Sequence, residues 1–246
     1  MPTTTLLSPD QIAQYRRDGY LVVPDLLSPK ELDAFIAHEA GIGPDAGPRG
    51  LQNHRADDQW GHLAHHPRIT GIVRQLIEGQ PEIVQTMYMA KQPEGGTGVA
   101  LHQDTHYIRN EPNTLMACWI AFSDTDPENG GLCVAPGSHL EGLGQTRPNL
   151  NTEDHAAWKN TYPMRDPDGK EWEEPMSSHD IVGFDRNRLV PLTVPRGAGV
   201  FFTSLTIHGS FRNQTADRPR LAFAAHYVKE GTWIYRQDLQ DMVPVV

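Results

Sequence analysis

Cysteine is nearly missing from this chain: Cys118 and Cys133 are the only two in 246 residues. Two thiols cannot build the disulfide framework of a small secreted scaffold. Both lie in apolar, strand-like runs, so buried free thiols in a reducing compartment are expected. Positive charge is also scarce, with 21 Lys and Arg against 31 Asp and Glu and a formal net charge of −10. A nucleic-acid binder usually presents a basic face, and this balance argues against one. No apolar run approaches the roughly 18 residues of a membrane span. Met1-Pro2-Thr3-Thr4-Thr5 lacks the basic start and apolar core of a signal peptide, which points to the cytoplasm. What the chain has in quantity is Gly (22) and Pro (20), against a modest 38% hydrophobic content. That suits many short strands joined by turns better than a helical bundle. A chain of this length has room for one substantial core and is expected to form one domain.

Helical signals come first. Ser8-Pro9-Asp10-Gln11 and Ser28-Pro29-Lys30-Glu31 each combine a Ser N-cap, Pro at the first helical position and Gln or Glu three residues on, which closes a capping box. Gly19 should end the first helix, with a short strand at Tyr20-Leu21-Val22-Val23. A third helix is expected from Pro67 to about Glu78 on the stripe Ile69, Ile72, Val73 and Leu76. From Pro81 the pattern turns to strands, at 83–91, 114–122, 131–134, 192–194, 199–203 and 221–228, separated by Gly- and Pro-rich turns. Helices followed by many strands describe a β-sandwich or jelly roll buttressed by helices. Residues from about 140 to 189 are polar and show little strand pattern. A loop of that length inside a compact domain is usually functional or mobile, and here it reads either as a solvated loop or as a lid that folds over the barrel mouth.

The most informative residues are His102-Gln103-Asp104 and His208. On an extended backbone residues i and i+2 share a face, so Gln103 turns away while His102 and Asp104 converge. A second His from a partner strand completes two imidazoles and one carboxylate on one face of a metal, the arrangement used by non-haem Fe(II) oxygenases. Most of the other ten His are expected to hydrogen-bond locally, including His54, His62, His65 and His66 ahead of the third helix. His139 reads as a turn residue and His226 as a satisfied barrel histidine. His106 and Arg109, close behind Asp104, either face the substrate or sit in a solvated loop.

Four passages together resemble the phytanoyl-CoA dioxygenase family of Fe(II)- and 2-oxoglutarate-dependent oxygenases. They are Leu101-His102-Gln103-Asp104, Trp119-Ile120-Ala121-Phe122, Asn129-Gly130-Gly131-Leu132 through Pro136-Gly137-Ser138-His139, and His208-Gly209-Ser210 through Asn213 to Arg218-Pro219-Arg220. The resemblance implies a double-stranded β-helix of the cupin type, with His102, Asp104 and His208 as iron ligands. It also implies an Arg that grips the far carboxylate of 2-oxoglutarate. One extra residue between Asn213 and Arg218 leaves both Arg218 and Arg220 open, and the following strand favours Arg220. Trp119, Ser210 and Lys91 match further co-substrate contacts. Halogenating relatives lack the carboxylate ligand, so Asp104 points to hydroxylation or a related oxidation of a small organic molecule. The rival reading is a cupin-like metal- and ligand-binding protein without oxygenase turnover.

Overall fold

The structure is a computed structural model that describes residues 6–42 and 50–245, so the Met1-to-Thr5 stretch lies outside it. Four helices lead: α1 (Pro9–Asp18), α2 (Pro29–Gly41), α3 (Asp58–Ala64) and α4 (Pro67–Leu76), with strand β1 (Tyr20–Val23) after the first. Both capping boxes form, Ser8 with Gln11 and Ser28 with Glu31, each worth about 1 kcal/mol to its helix. Gly19 ends α1 at φ 78°. A β-carbon there would meet His139 Nδ1 at 2.4 Å and Thr206 Oγ1 at 2.6 Å, so only Gly fits both the conformation and the approach.

Next come β2 (Pro81–Lys91), β3 (Val99–His102), β4 (Asn110–Glu111), β5 (Met116–Ala121), β6 (Leu132–Val134), β7 (Thr146–Pro148), β8 (Lys159–Arg165) and β9 (Glu171–Ser177). They are followed by β10 (His179–Ile181), β11 (Val190–Pro191), β12 (Gly199–Thr203), β13 (His208–Ser210), β14 (Arg220–Lys229), β15 (Trp233–Ile234) and β16 (Val243–Pro244). A six-stranded sheet runs β1-β12-β5-β14-β2-β16 and faces a four-stranded sheet, β11-β6-β13-β3. All pairings in both are antiparallel. This is the jelly roll that the family resemblance implied.

Period-two alternation divides the large sheet between two cores. Cys118, Ile120, Phe201, Phe223 and Ala225 face out, against Tyr15, Leu32, Phe35, Trp60 and the α4 stripe. Ala117, Trp119, Ala121, Val200, Phe202, Ala222 and Ala224 face in, toward Leu132, Val134, Leu192 and Val194. The helices therefore brace one side of the sheet and leave the barrel interior free for chemistry. Cys118 and Cys133 are both buried free thiols.

Three expectations need correction. The polar stretch before Pro67 contains α3, whose seven residues are capped by Asp57 and bury Trp60, Leu63 and Ala64. Helix Pro67–Leu76 is therefore the fourth. The strand expected at 192–194 is displaced: β11 ends at Pro191, and Val194 makes only an isolated bridge to Thr125. The 140–189 segment is not strandless. It holds β7 paired with β10 and a seven-pair hairpin of β8 with β9. One face of that hairpin buries Met164 and Met176 beside Tyr235, and the rest stays in solvent. Pro163 and Pro175 hid it, yet a two-stranded ribbon tolerates Pro because each strand has an unpaired edge.

Candidate metal centre and co-substrate site

Strands β3 and β13 pair so that His208 stands opposite His102. Gly209 makes the crossing possible, since a β-carbon there would lie 2.8 Å from the Val99 carbonyl oxygen. His102 ends β3, Gln103 is extended, and Asp104 opens a short 3-10 turn rather than continuing a strand. The i, i+2 convergence survives because it depends on Gln103 alone being extended. Gln103 is fully buried on the other side, donating to the carbonyls of Gly142 and Leu205 and accepting from Gly144 N–H. It fastens the start of the 140–189 segment to the motif.

The ligand-type atoms of His102, Asp104 and His208 lie within 4.8 Å of one another. Asp104 Oδ1 is 3.5 Å from His102 Nε2 and 3.7 Å from His208 Nε2. Each imidazole donates Nδ1–H to a backbone carbonyl two residues earlier, Ala100 and Thr206, both at 2.9 Å. Carbonyls only accept, so the Nε2 lone pairs of both rings point at the shared centre, as metal ligation requires. Burial pushes the His208 pKa down to about 4, helped by His102 nearby, so this ring is neutral at pH 7. Burial alone would raise the Asp104 carboxyl, but His208, His226 and His102 together hold it well below the usual carboxylate range. Two imidazoles and one carboxylate suit a divalent iron. A second group, His38, Glu39 and Asp57, is tied up holding α2 to α3: His38 Nε2 lies 2.7 Å from Asp57 Oδ2, and Trp60 Nε1 donates to Glu39.

Further inside, Arg220 is 2% exposed, reaches the Gly130 carbonyl with Nε at 3.2 Å, and lies 6.0 Å over the Trp119 ring. Among the described residues no carboxylate pairs with it. Lys91 stands opposite it across β2 and β14 and donates to Ser210 Oγ at 2.8 Å and the Phe211 carbonyl at 2.5 Å. Burial, with Arg220 beside it, pulls the Lys91 pKa down to about 6, and burial pulls Arg220 to about 10. A buried guanidinium without an anion is costly unless a ligand supplies one, and an anion there would also favour the charged form of Lys91. A dicarboxylate fits that need. Arg218 is elsewhere: it lies at the surface, paired with Asp126 and Glu128 at 2.5 and 2.9 Å.

The metal centre opens on a cavity of about 400 Å³ lined by His102, Asp104, Met87, Met89, Ile108 and Tyr107, and by Ala156, Trp158, Tyr162, Ser178 and His179 from the long segment. Tyr107 packs on His102, Trp158 and His179 with ring centroids 5.2–5.6 Å apart, which continues an aromatic wall from the metal outward. His106 and Arg109 do not line this cavity, and Arg109 instead covers the Tyr235 ring. His226 is the satisfied barrel histidine expected, but its tie to Asp104 was not foreseen and Gln85 was not singled out. His226 is a cross-strand partner of Gln85, and its Nε2 lies 3.3 Å from Asp104 Oδ2. Counting by twos from Arg220 along β14 would have placed His226 on the inner face.

Among the described residues no helix is long and apolar enough to cross a membrane. The zebrafish (Danio rerio) phytanoyl-CoA dioxygenase domain-containing protein 1 is 26% identical, over 94% of this chain and 93% of that protein. The mouse protein of that name is 30% identical, but the match spans 57% of its length. The non-heme alpha ketoglutarate dependent carbocyclase SnoK superposes with a TM-score of 0.69 at 22% identity, covering 99% of both chains. The epimerase SnoN, solved with Fe3+, alpha ketoglutarate and nogalamycin RO, gives 0.67 at 23% identity, covering 92% of this chain and 85% of that one. The sequence model described as phytanoyl-CoA dioxygenase (PhyH) matches residues 15–222. With that match over most of its length, this chain belongs to the phytanoyl-CoA dioxygenase family of 2-oxoglutarate-dependent non-haem iron oxygenases.

Proposed function

We propose that this protein hydroxylates a small organic substrate, converting 2-oxoglutarate and O2 to succinate and CO2. His102, Asp104 and His208 would hold Fe(II), Arg220 and Lys91 the far carboxylate of 2-oxoglutarate, and Trp119 and Ser210 its flanks. The iron, when bound, supplies the activation of O2 that no side chain can provide. The protein's own part is positioning. The guanidinium of Arg220 can grip a carboxylate through two parallel hydrogen bonds, which orients as well as attracts. The aromatic wall excludes water and holds the substrate against the metal.

The carrying observation is the buried, acid-free Arg220 guanidinium with the buried Lys91 amine opposite it. A cupin-like metal binder without turnover has no use for a carboxylate clamp. The substrate is expected to have an apolar body, because aromatic, aliphatic and Met side chains make up much of the cavity lining. The segment 140–189 carries 10 acidic against 6 basic residues, a poor surface for the phosphates of a CoA thioester. A cytoplasmic location belongs to the same proposal, and cell fractionation tests it. The decisive experiment is anaerobic titration of the Fe(II) protein with 2-oxoglutarate. A weak visible metal-to-ligand charge-transfer band is expected, followed in air by substrate-stimulated succinate release. Absence of the band would remove the oxygenase reading.

A further inference from the structure

Asp104 is held from behind. Oδ1 faces the Nε2 atoms of His102 and His208, while Oδ2 turns to His226 Nε2 at 3.3 Å. On the far side of the His226 ring, Nδ1 lies 3.3 Å from Gln85 Nε2. All three side chains are buried: Asp104 7%, His226 6% and Gln85 5% exposed. His226 and Gln85 are register partners across β14 and β2, so the backbone itself sets their spacing.

Hydrogen positions follow from donor chemistry. The carboxylate can only accept, so His226 carries its proton on Nε2. Gln85 Nε2, which can only donate, faces Nδ1, so Nδ1 is the acceptor of the amide N–H. In that orientation Gln85 Oε1 is buried and has no hydrogen-bond partner among the described residues. The chain runs from Gln85 N–H to His226, and from His226 N–H to Asp104 Oδ2.

We propose that His226 and Gln85 are positioning residues that keep Asp104 a one-oxygen metal ligand, by occupying Oδ2 with a hydrogen bond. A carboxylate bound through both oxygens would take a coordination position that 2-oxoglutarate or O2 needs. The hydrogen bond also fixes the carboxylate plane, so Oδ1 is aimed at the metal before it arrives. The inference rests on the dioxygenase reading and concerns residues outside the ligand set.

Three variants test it: His226→Leu removes the donor, His226→Gln keeps an N–H near the position of Nε2, and Gln85→Leu breaks only the outer link. Each is titrated anaerobically with Fe(II), with Co(II) as a spectroscopic probe, and then with 2-oxoglutarate. H226L should weaken Fe(II) binding by about 10- to 100-fold, the usual effect of losing an outer-shell partner, and shift the charge-transfer band. H226Q should recover most of the affinity and the band position. Q85L should move both in the same direction by less, with the melting temperature of the metal-free protein reported alongside. Wild-type affinity and an unshifted band in H226L, or no recovery in H226Q, would overturn the proposal. Should H226L fail to fold, an unchanged affinity and band in Q85L does so instead. A missing band in the unmodified protein sinks the oxygenase reading. A normal band with unaffected variants sinks only this one.

Discussion

Arg220→Met separates two roles that a buried arginine can play. If Arg220 is a structural prop, its loss destabilises the protein and co-substrate binding suffers only in proportion. If it waits for a carboxylate, the signs split. The guanidinium is 2% exposed and meets only carbonyl oxygens of Gly130 and Met89, the latter at 3.4 Å. Replacing a buried charge without a counter-ion by an apolar side chain of similar length is often neutral or stabilising. Losing a two-point charge-assisted grip should cost about 2–4 kcal/mol of 2-oxoglutarate affinity, roughly 30- to 1000-fold. Arg218→Met is the matched control. It removes a solvent-exposed pair with Asp126 and Glu128, worth about 0–1 kcal/mol, and should leave 2-oxoglutarate binding alone. Isothermal titration and thermal melts of the metal-loaded and metal-free proteins provide both readouts. An R220M protein that melts well below wild type yet binds 2-oxoglutarate within about threefold of it would refute the clamp.

Single alanine replacements of His102, Asp104 or His208 should abolish Fe(II) binding in anaerobic titration, while circular dichroism shows the fold retained, because the barrel core does not depend on the metal. Lys91 is pulled to about pKa 6 by burial, and a bound carboxylate favours its charged form, so binding takes up a proton above pH 6. The dissociation constant of 2-oxoglutarate should then rise with pH from about 6 upward, by at most about tenfold per unit, and Lys91→Met should flatten that slope. Trp158→Ala should raise the substrate KM by about 10- to 100-fold, for a lost aromatic contact of ~1.5–3 kcal/mol, with 2-oxoglutarate affinity unchanged in direct titration. Phe35 packs on Trp60, Tyr88, Phe122 and Phe223 with centroids 5.3–5.7 Å apart. Phe35→Ala should therefore cost about 3–5 kcal/mol in chemical denaturation.

Much of the frame was legible because its signals are local. Ser8 with Gln11 and Ser28 with Glu31 announce their helices within four residues, and the fully buried run Met116–Ala121 reads as a central strand on apolarity alone. What stayed hidden depends on distant partners. Helix α3 is seven residues long, too short for a period to show, and becomes helical by burying Trp60 and Leu63 under Phe35 and the sheet. The β8–β9 hairpin buries Met164 and Met176 against Tyr235, which lies some sixty residues on. The contact of His226 with Asp104 joins residues 122 positions apart, and the alternation along β14 marks only the face that His226 takes, not its partner.

The inner face of β14 has a metrological consequence. Arg220, Ala222, Ala224 and His226 point the same way, and six residue steps at about 3.3 Å span about 20 Å. On the proposed reading, one rigid strand carries the carboxylate grip at one end and the brace of the metal ligand at the other. The two alanines between them pack into the inner apolar cluster. The strand then fixes the spacing of grip and brace through its backbone. A single-residue insertion between Ala222 and Ala224 would turn one of the two outward and spoil that spacing altogether.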